Sequence, residues 1–209
     1  MKQLIRLILF SSILLSLTGC NFSNDFSNEI DEDNPTKTKE DNEIPEIKTY
    51  KGEKLDLLVV GDKPTIREQK KISFTTIDVE NLAKKSLDRY DAVVIMPEYL
   101  SEAAEKRYNK IYKQNKIPFF FVGSRAAHIP FVDNGEVTYE TYADRVDESQ
   151  NYISGLLYKE DIEKGYYAYK YRYQHDGENY VKDNVSSIYS NVFRTIDNIK
   201  SNQPLNHLN

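Results

Sequence analysis

The sequence predicts an α/β domain built on one open three-layer sheet, parallel in the centre, with antiparallel strands toward one edge and an amphipathic helix at its C-terminal end. Three observations carry this. Short apolar runs at residues 55–60, 92–96 and 117–122 each stop at a glycine or a proline, as strands buried on both faces do. A segment with one apolar and one charged face separates the last two runs, which is the spacing of a parallel crossover. Residues 152–158 and 166–173 then flank a polar link at residues 159–165, the arrangement of an antiparallel pair.

Each element has its own signal. Residues 55–60 end at Gly61-Asp62. Residues 72–77 are rich in β-branched and aromatic side chains and read as a second strand. Residues 79–87 read as a helix, with Leu82, Ala83 and Leu87 on one face. After the run 92–96, Ser101 is placed to cap a helix to about Asn115, whose stripe is Ala104, Tyr108, Ile111 and Tyr112. Residues 137–142 alternate apolar and polar and read as extended. The last helix, residues 183–200, puts Val185, Ile188, Val192, Phe193, Ile196 and Ile199 on one face, with Asp183 or Asn184 as cap. Residues 201–209 form a tail.

The chain begins with the three zones of an export signal. Lys2 and Arg6 are its positive region, and an apolar stretch too short for a comfortable membrane span follows. It closes on Leu17-Thr18-Gly19-Cys20. This tetrapeptide resembles the lipobox of bacterial lipoproteins. The resemblance covers residues 1–20 and implies cleavage before Cys20, with a diacylglyceryl group on its sulfur. Cys20 is the single cysteine, so no disulfide is expected in the domain that follows, which rests on its core. Two acyl chains on one cysteine anchor stably where one is marginal.

Removing residues 1–19 takes away Lys2 and Arg6 and no acidic residue, so the net charge moves from −5 to −7. That balance argues against nucleic acid as a partner and against charge as the force holding the protein to a membrane. Residues 20–50 read as the lipidated cysteine and an acidic tether, with Pro35 and Pro45 and too little apolar surface to offset its ordering entropy. A flexible chain of that length spans about 30 Å. Residues 51–200 are enough for one α/β domain.

Ligands in open α/β sheets bind at the carboxyl ends of strands. Three such ends are named by the sequence: Gly61, Asp62 and Lys63; Pro97 and Glu98; Gly123, Ser124 and Arg125. The run from Asp91 to Ile95, the helix after it, and Lys116 to Ser124 are similar in layout to the class I glutamine amidotransferase-like, flavodoxin-like fold. The match covers residues 55–128. It implies that Ser124 stands where those enzymes carry a cysteine nucleophile, but the flanking glycines are reduced to Gly123, and His175-Asp176-Gly177-Glu178 has the wrong spacing for the family's His-x-Glu. A serine nucleophile needs a base, and His128 and His175 are the candidates. The three histidines are isolated and glycine-rich phosphate loops are absent, so neither a metal nor a cofactor is expected.

Tyrosine is abundant, 16 residues with no tryptophan, and Tyr167, Tyr169, Tyr171 and Tyr173 alternate. They form either a recognition surface for a protein or glycan at the envelope, or a core face under the last helix. Two functional readings follow. One is a non-catalytic, membrane-anchored binding module that uses Asp62, Glu98, Arg125 or the tyrosine row. The other is an envelope hydrolase or transferase built on Ser124.

The anchor gives the first prediction. Cys20→Ala should abolish lipid labelling and release the protein from the membrane fraction, or leave uncleaved precursor. Processing and fractionation identical to wild type would refute the anchor.

Overall fold

Six strands make one sheet in the order β2-β1-β3-β4-β5-β6, in a computed structural model that describes residues 46–133, 137–160, 162–183 and 185–202. β1 (Leu55–Val60) pairs in parallel with β2 (Ile72–Ile77) on one side and with β3 (Ala92–Ile95) on the other. β4 (Phe119–Val122) adds in parallel to β3. β5 (Asn151–Tyr158) and β6 (Tyr166–Arg172) complete the sheet antiparallel, with a register shift between Asn151 and Ile153. The mixed sheet with its antiparallel edge is the predicted fold. A separate two-stranded sheet, β7 (Gln174–His175) and β8 (Tyr180–Val181), was not foreseen.

Both faces of the sheet are covered. On one lies the C-terminal helix α6 (Val185–Lys200), which sets Ile188, Tyr189, Val192, Phe193 and Ile196 against Leu57, Val59, Val94, Phe120 and Ile153. Opposite are α1 (Val79–Leu82), a 3₁₀ turn (Pro97–Tyr99), α2 (Leu100–Ala103), α3 (Lys106–Gln114) and α4 (Ile129–Val132), followed by α5 (Tyr139–Val146). Their Leu82, Leu100, Tyr108, Tyr112 and Phe131 pack on Leu58, Val93, Phe119, Phe121 and Leu156.

Three local expectations are revised. α1 stops at Leu82, and Ala83 is exposed rather than on the buried face; Leu87 reaches the core from the turn that follows. The long helix from Ser101 is broken. Glu105 is extended and starts α3, and the hydroxyl of Tyr112 donates to the carbonyl of Ala103 at 2.6 Å, satisfying an acceptor near the break. Residues 137–142 enter a helix, not a strand. Thr138 caps α5 by accepting from the Thr141 amide, and Tyr139, Ala143 and Val146 have helical spacing.

Residues 46–50 pack on α6. Tyr50 is 3% exposed, its ring meets Phe193 edge-on at 6.0 Å, and its amide donates to the buried Glu68 carboxylate at 3.0 Å. Ser190 donates to the same carboxylate at 2.5 Å. The signal, Cys20, the tether before residue 46, the Asn184 cap and the tail beyond residue 202 lie outside the described residues.

The tyrosine row faces α6 and the neighbouring strands. Tyr171 is 8% exposed, and Tyr169 and Tyr171 lie 6.5 and 6.0 Å from Phe120. Tyr173 stands 5.4 Å from Tyr152, while Tyr167 is half-buried. Lys170 and Arg172 point out on the other face. Gly155 permits the approach of two rings, because a Cβ there would sit 2.9 Å from Phe120 Cδ1 and 3.1 Å from Tyr169 Cβ. Tyr171→Ala should therefore lower stability by about 3–5 kcal/mol, and exposed Arg172→Ala by less than about 0.5 kcal/mol, in urea unfolding. Equal effects of the two changes would place the row outside the core.

Candidate functional site

The strand order decides where a site can form. From β1 the chain passes to β2 on one side and then returns to β3 on the other. The carboxyl ends of β1 and β3 therefore border the point where the winding reverses, which is where open α/β sheets leave a crevice. A pocket of about 520 Å³ opens there, lined by Gly61 and Asp62 after β1, Thr76, Ile77 and Asp78 at the end of β2, and Glu98 and Tyr99 after β3.

Local backbone rules build it. Gly61 has a φ of +103°, which disfavours any residue with a Cβ. A Cβ there would also come within 2.7 Å of Glu98 Oε1 and 2.9 Å of Tyr99 Cε2. The glycine thus lets the Glu98 carboxylate and the Tyr99 ring close over the end of β1. Pro97 opens the 3₁₀ turn that carries both residues. Burial raises the Tyr99 phenol above its ordinary value, and the carboxylates of Asp78, Glu98, Glu80 and Asp62 add to this, so a neutral hydroxyl stands among acids.

Of the residues singled out in the sequence, Asp62 and Glu98 meet in this pocket. Asp78, Thr76 and Tyr99 were missed. The signal for Asp78 was its place directly after a strand, the rule that pointed to Asp62. Among the described residues, no three His, Cys, Asp or Glu side chains are grouped to hold a metal ion. No helix among them is long and apolar enough to cross a membrane.

The third strand end is organised differently. Ser124 is 0% exposed, and its hydroxyl donates to the carbonyl of Ala127 at 2.7 Å. That bond closes a turn in which Gly123 and Ala127 both have left-handed backbones, at φ +70° and +53°. Ser124 therefore holds a turn. Arg125 is exposed and pairs with Asp147 at 3.1 Å, and its amide donates to the Tyr139 hydroxyl. His175 lies on the small sheet, where it accepts from the Gly177 amide at 3.1 Å and packs edge-on against Tyr180.

His128 caps no helix by its side chain and leans on the Tyr166 ring at 5.5 Å. Its buried Nδ1 has no hydrogen-bond partner among the described residues. Near it, Glu148 accepts from Lys170 and from Asn151 Nδ2. Sequence alone does not show this polar group, because its members come from three separate segments.

No family model matches the chain, and neither a curated protein nor a solved structure matches it.

His128 gives a pH prediction. Burial, then the nearby Lys170, hold its imidazole below the ordinary value of 6.5; Glu148 opposes this and Lys164 adds to it. The folded state keeps the ring neutral while the unfolded chain protonates it, so the unfolded chain binds more protons as pH falls. This contribution is complete above about pH 6.5 and is lost as pH drops toward the folded-state value. Urea unfolding at about pH 7.5 and about pH 5.5 should show a smaller loss for His128→Leu than for wild type. Parallel losses would mean that His128 is not the group responsible.

Proposed function

We propose that this chain is a lipoprotein anchored through Cys20 on the extracytoplasmic face of a cell membrane, and that its α/β domain is a non-catalytic module binding a glycan in the pocket at the reversal of the sheet. The observation that carries the reading is the convergence of Asp62, Asp78, Glu98 and Tyr99 in one open pocket. Its volume of about 520 Å³ falls within the range of small-molecule sites.

The lining selects among ligands. Carboxylates repel phosphates and other anions and accept hydrogen bonds from hydroxyl pairs or from an amino group. The Tyr99 ring offers an apolar face with a neutral hydroxyl. A neutral or amino sugar presents both kinds of partner. The absence of catalysis is supported by Ser124, whose hydroxyl is committed to the turn at Ala127. A serine nucleophile instead needs an adjacent base and donors for an oxyanion.

Calorimetric titration with a panel of neutral and amino-sugar oligosaccharides tests this. At least one should bind, and Asp62→Asn and Glu98→Gln should each weaken it by roughly tenfold or more, as expected when a hydrogen bond to a charged group is lost. Both residues are exposed, so the unfolding midpoint should not move. No binding across the panel, or variants that bind like wild type, would remove the glycan reading.

A further inference from the structure

At the opposite end of the sheet a second opening is bordered by lysines. α3 ends at Gln114, and the chain turns through Asn115 and Lys116 toward β4. β5 runs antiparallel to β4, so its end at Tyr158, and the link to β6, lie at this same end. Together these segments line an open groove of about 770 Å³. Its rim carries Lys113, Lys116 and Lys159, all exposed, with Glu160 as the acid among the lining residues. None of the three lysines is in an ion pair among the described residues. Burial pushes the phenol of Tyr158, also in the lining, up to about 12, so it adds no negative charge. Gly165 has open space where a side chain would stand.

We propose that this groove is the face the domain turns toward the bilayer, where the three lysines take the anionic headgroups of the lipids around its own anchor. The proposal rests on the anchor at Cys20. It concerns orientation rather than attachment, and charge complementarity carries it. An anionic surface repels the end bearing Asp62, Asp78 and Glu98 and attracts the end bearing Lys113, Lys116 and Lys159. Each lysine brought to such a surface favours that orientation by roughly fivefold.

The reach of the chain fits. A tether of the length of residues 21–45 would, if flexible, span on the order of 25–30 Å, enough for either end of the domain to approach the lipid. Tethering then makes the contact intramolecular, so a groove too weak to recruit the domain from solution is enough to orient it. The net negative charge of the chain opposes recruitment but not orientation, because orientation depends on how charge is distributed. In this arrangement the acidic pocket points away from the membrane.

The test uses the lipidated protein in two kinds of vesicle, phosphatidylcholine alone and phosphatidylcholine with phosphatidylglycerol. A short pulse of an amine-reactive reagent, read by mass spectrometry, reports the exposure of each lysine. Lys113, Lys116 and Lys159 should react at least about fivefold more slowly on the anionic vesicles. Lys63, at the acidic end, should react equally on both. High salt should remove the difference. Equal reactivity of the three lysines on both vesicles, whether fast or slow, overturns the proposal and leaves the anchor standing. Failure of the chain to enter either vesicle overturns the anchor and this proposal together.

Discussion

The strand β4 must be buried on both of its faces at once, and the rest of the domain is arranged to satisfy that. Phe119 and Phe121 project to one side, where Tyr112 meets Phe119 edge-on at 4.9 Å and Phe131 stacks on Phe121 at 3.5 Å. Phe120 projects to the other, against Tyr169, Tyr171 and the α6 cluster. Phenylalanines bury large apolar areas, so leaving either side open would forfeit much of the folding free energy. β4 also joins the parallel half of the sheet to the antiparallel half. A glycine in β5 opposite Phe120, and tyrosines in β6 beyond it, follow from the room that ring requires.

The tyrosines solve a particular packing problem. β6 is an edge strand, so the residues it turns toward α6 are covered on one side only. Tyrosine supplies a large ring for that face, and the hydroxyls of Tyr169 and Tyr171 are buried along with their rings. Burial varies along the row: Tyr171 is buried, and Tyr167, Tyr169 and Tyr173 are half-buried. Covering the row from the other side is the task of α6. That helix is held in turn by residues 46–50 through Tyr50, Glu68 and Ser190.

What could be read in the sequence was whatever depends on neighbours along the chain. The runs at residues 55–60 and 117–122, and the stripe of α6, announce themselves by period and by composition. The pair of β5 and β6 is legible because a short link joins them. Strand order is not local, so the meeting of Asp62 with Asp78 and Glu98 was hidden until β2 and β3 were seen on opposite sides of β1. α5 was misread for a different reason. Val137-Thr138-Tyr139-Glu140-Thr141-Tyr142 alternates in polarity and favours strands by composition, but Thr138 caps a helix whose apolar positions continue to Ala143 and Val146. The role of Ser124 depends on the left-handed Ala127, a conformation that no side-chain pattern reveals.

Net charge conceals the distribution that matters. Summed over the chain the balance is negative, and the natural conclusion is that charge plays no part near an anionic surface. The topology sorts the charges instead. The carboxyl ends of β1, β2 and β3 collect Asp62, Asp78 and Glu98. The turn into β4 and the link between β5 and β6 collect Lys113, Lys116 and Lys159 at the far end. A sheet whose loops alternate between its two ends can gather acids at one opening and lysines at another from a sequence with interspersed charges. Direction, rather than total charge, is then what an electric field at a surface acts on.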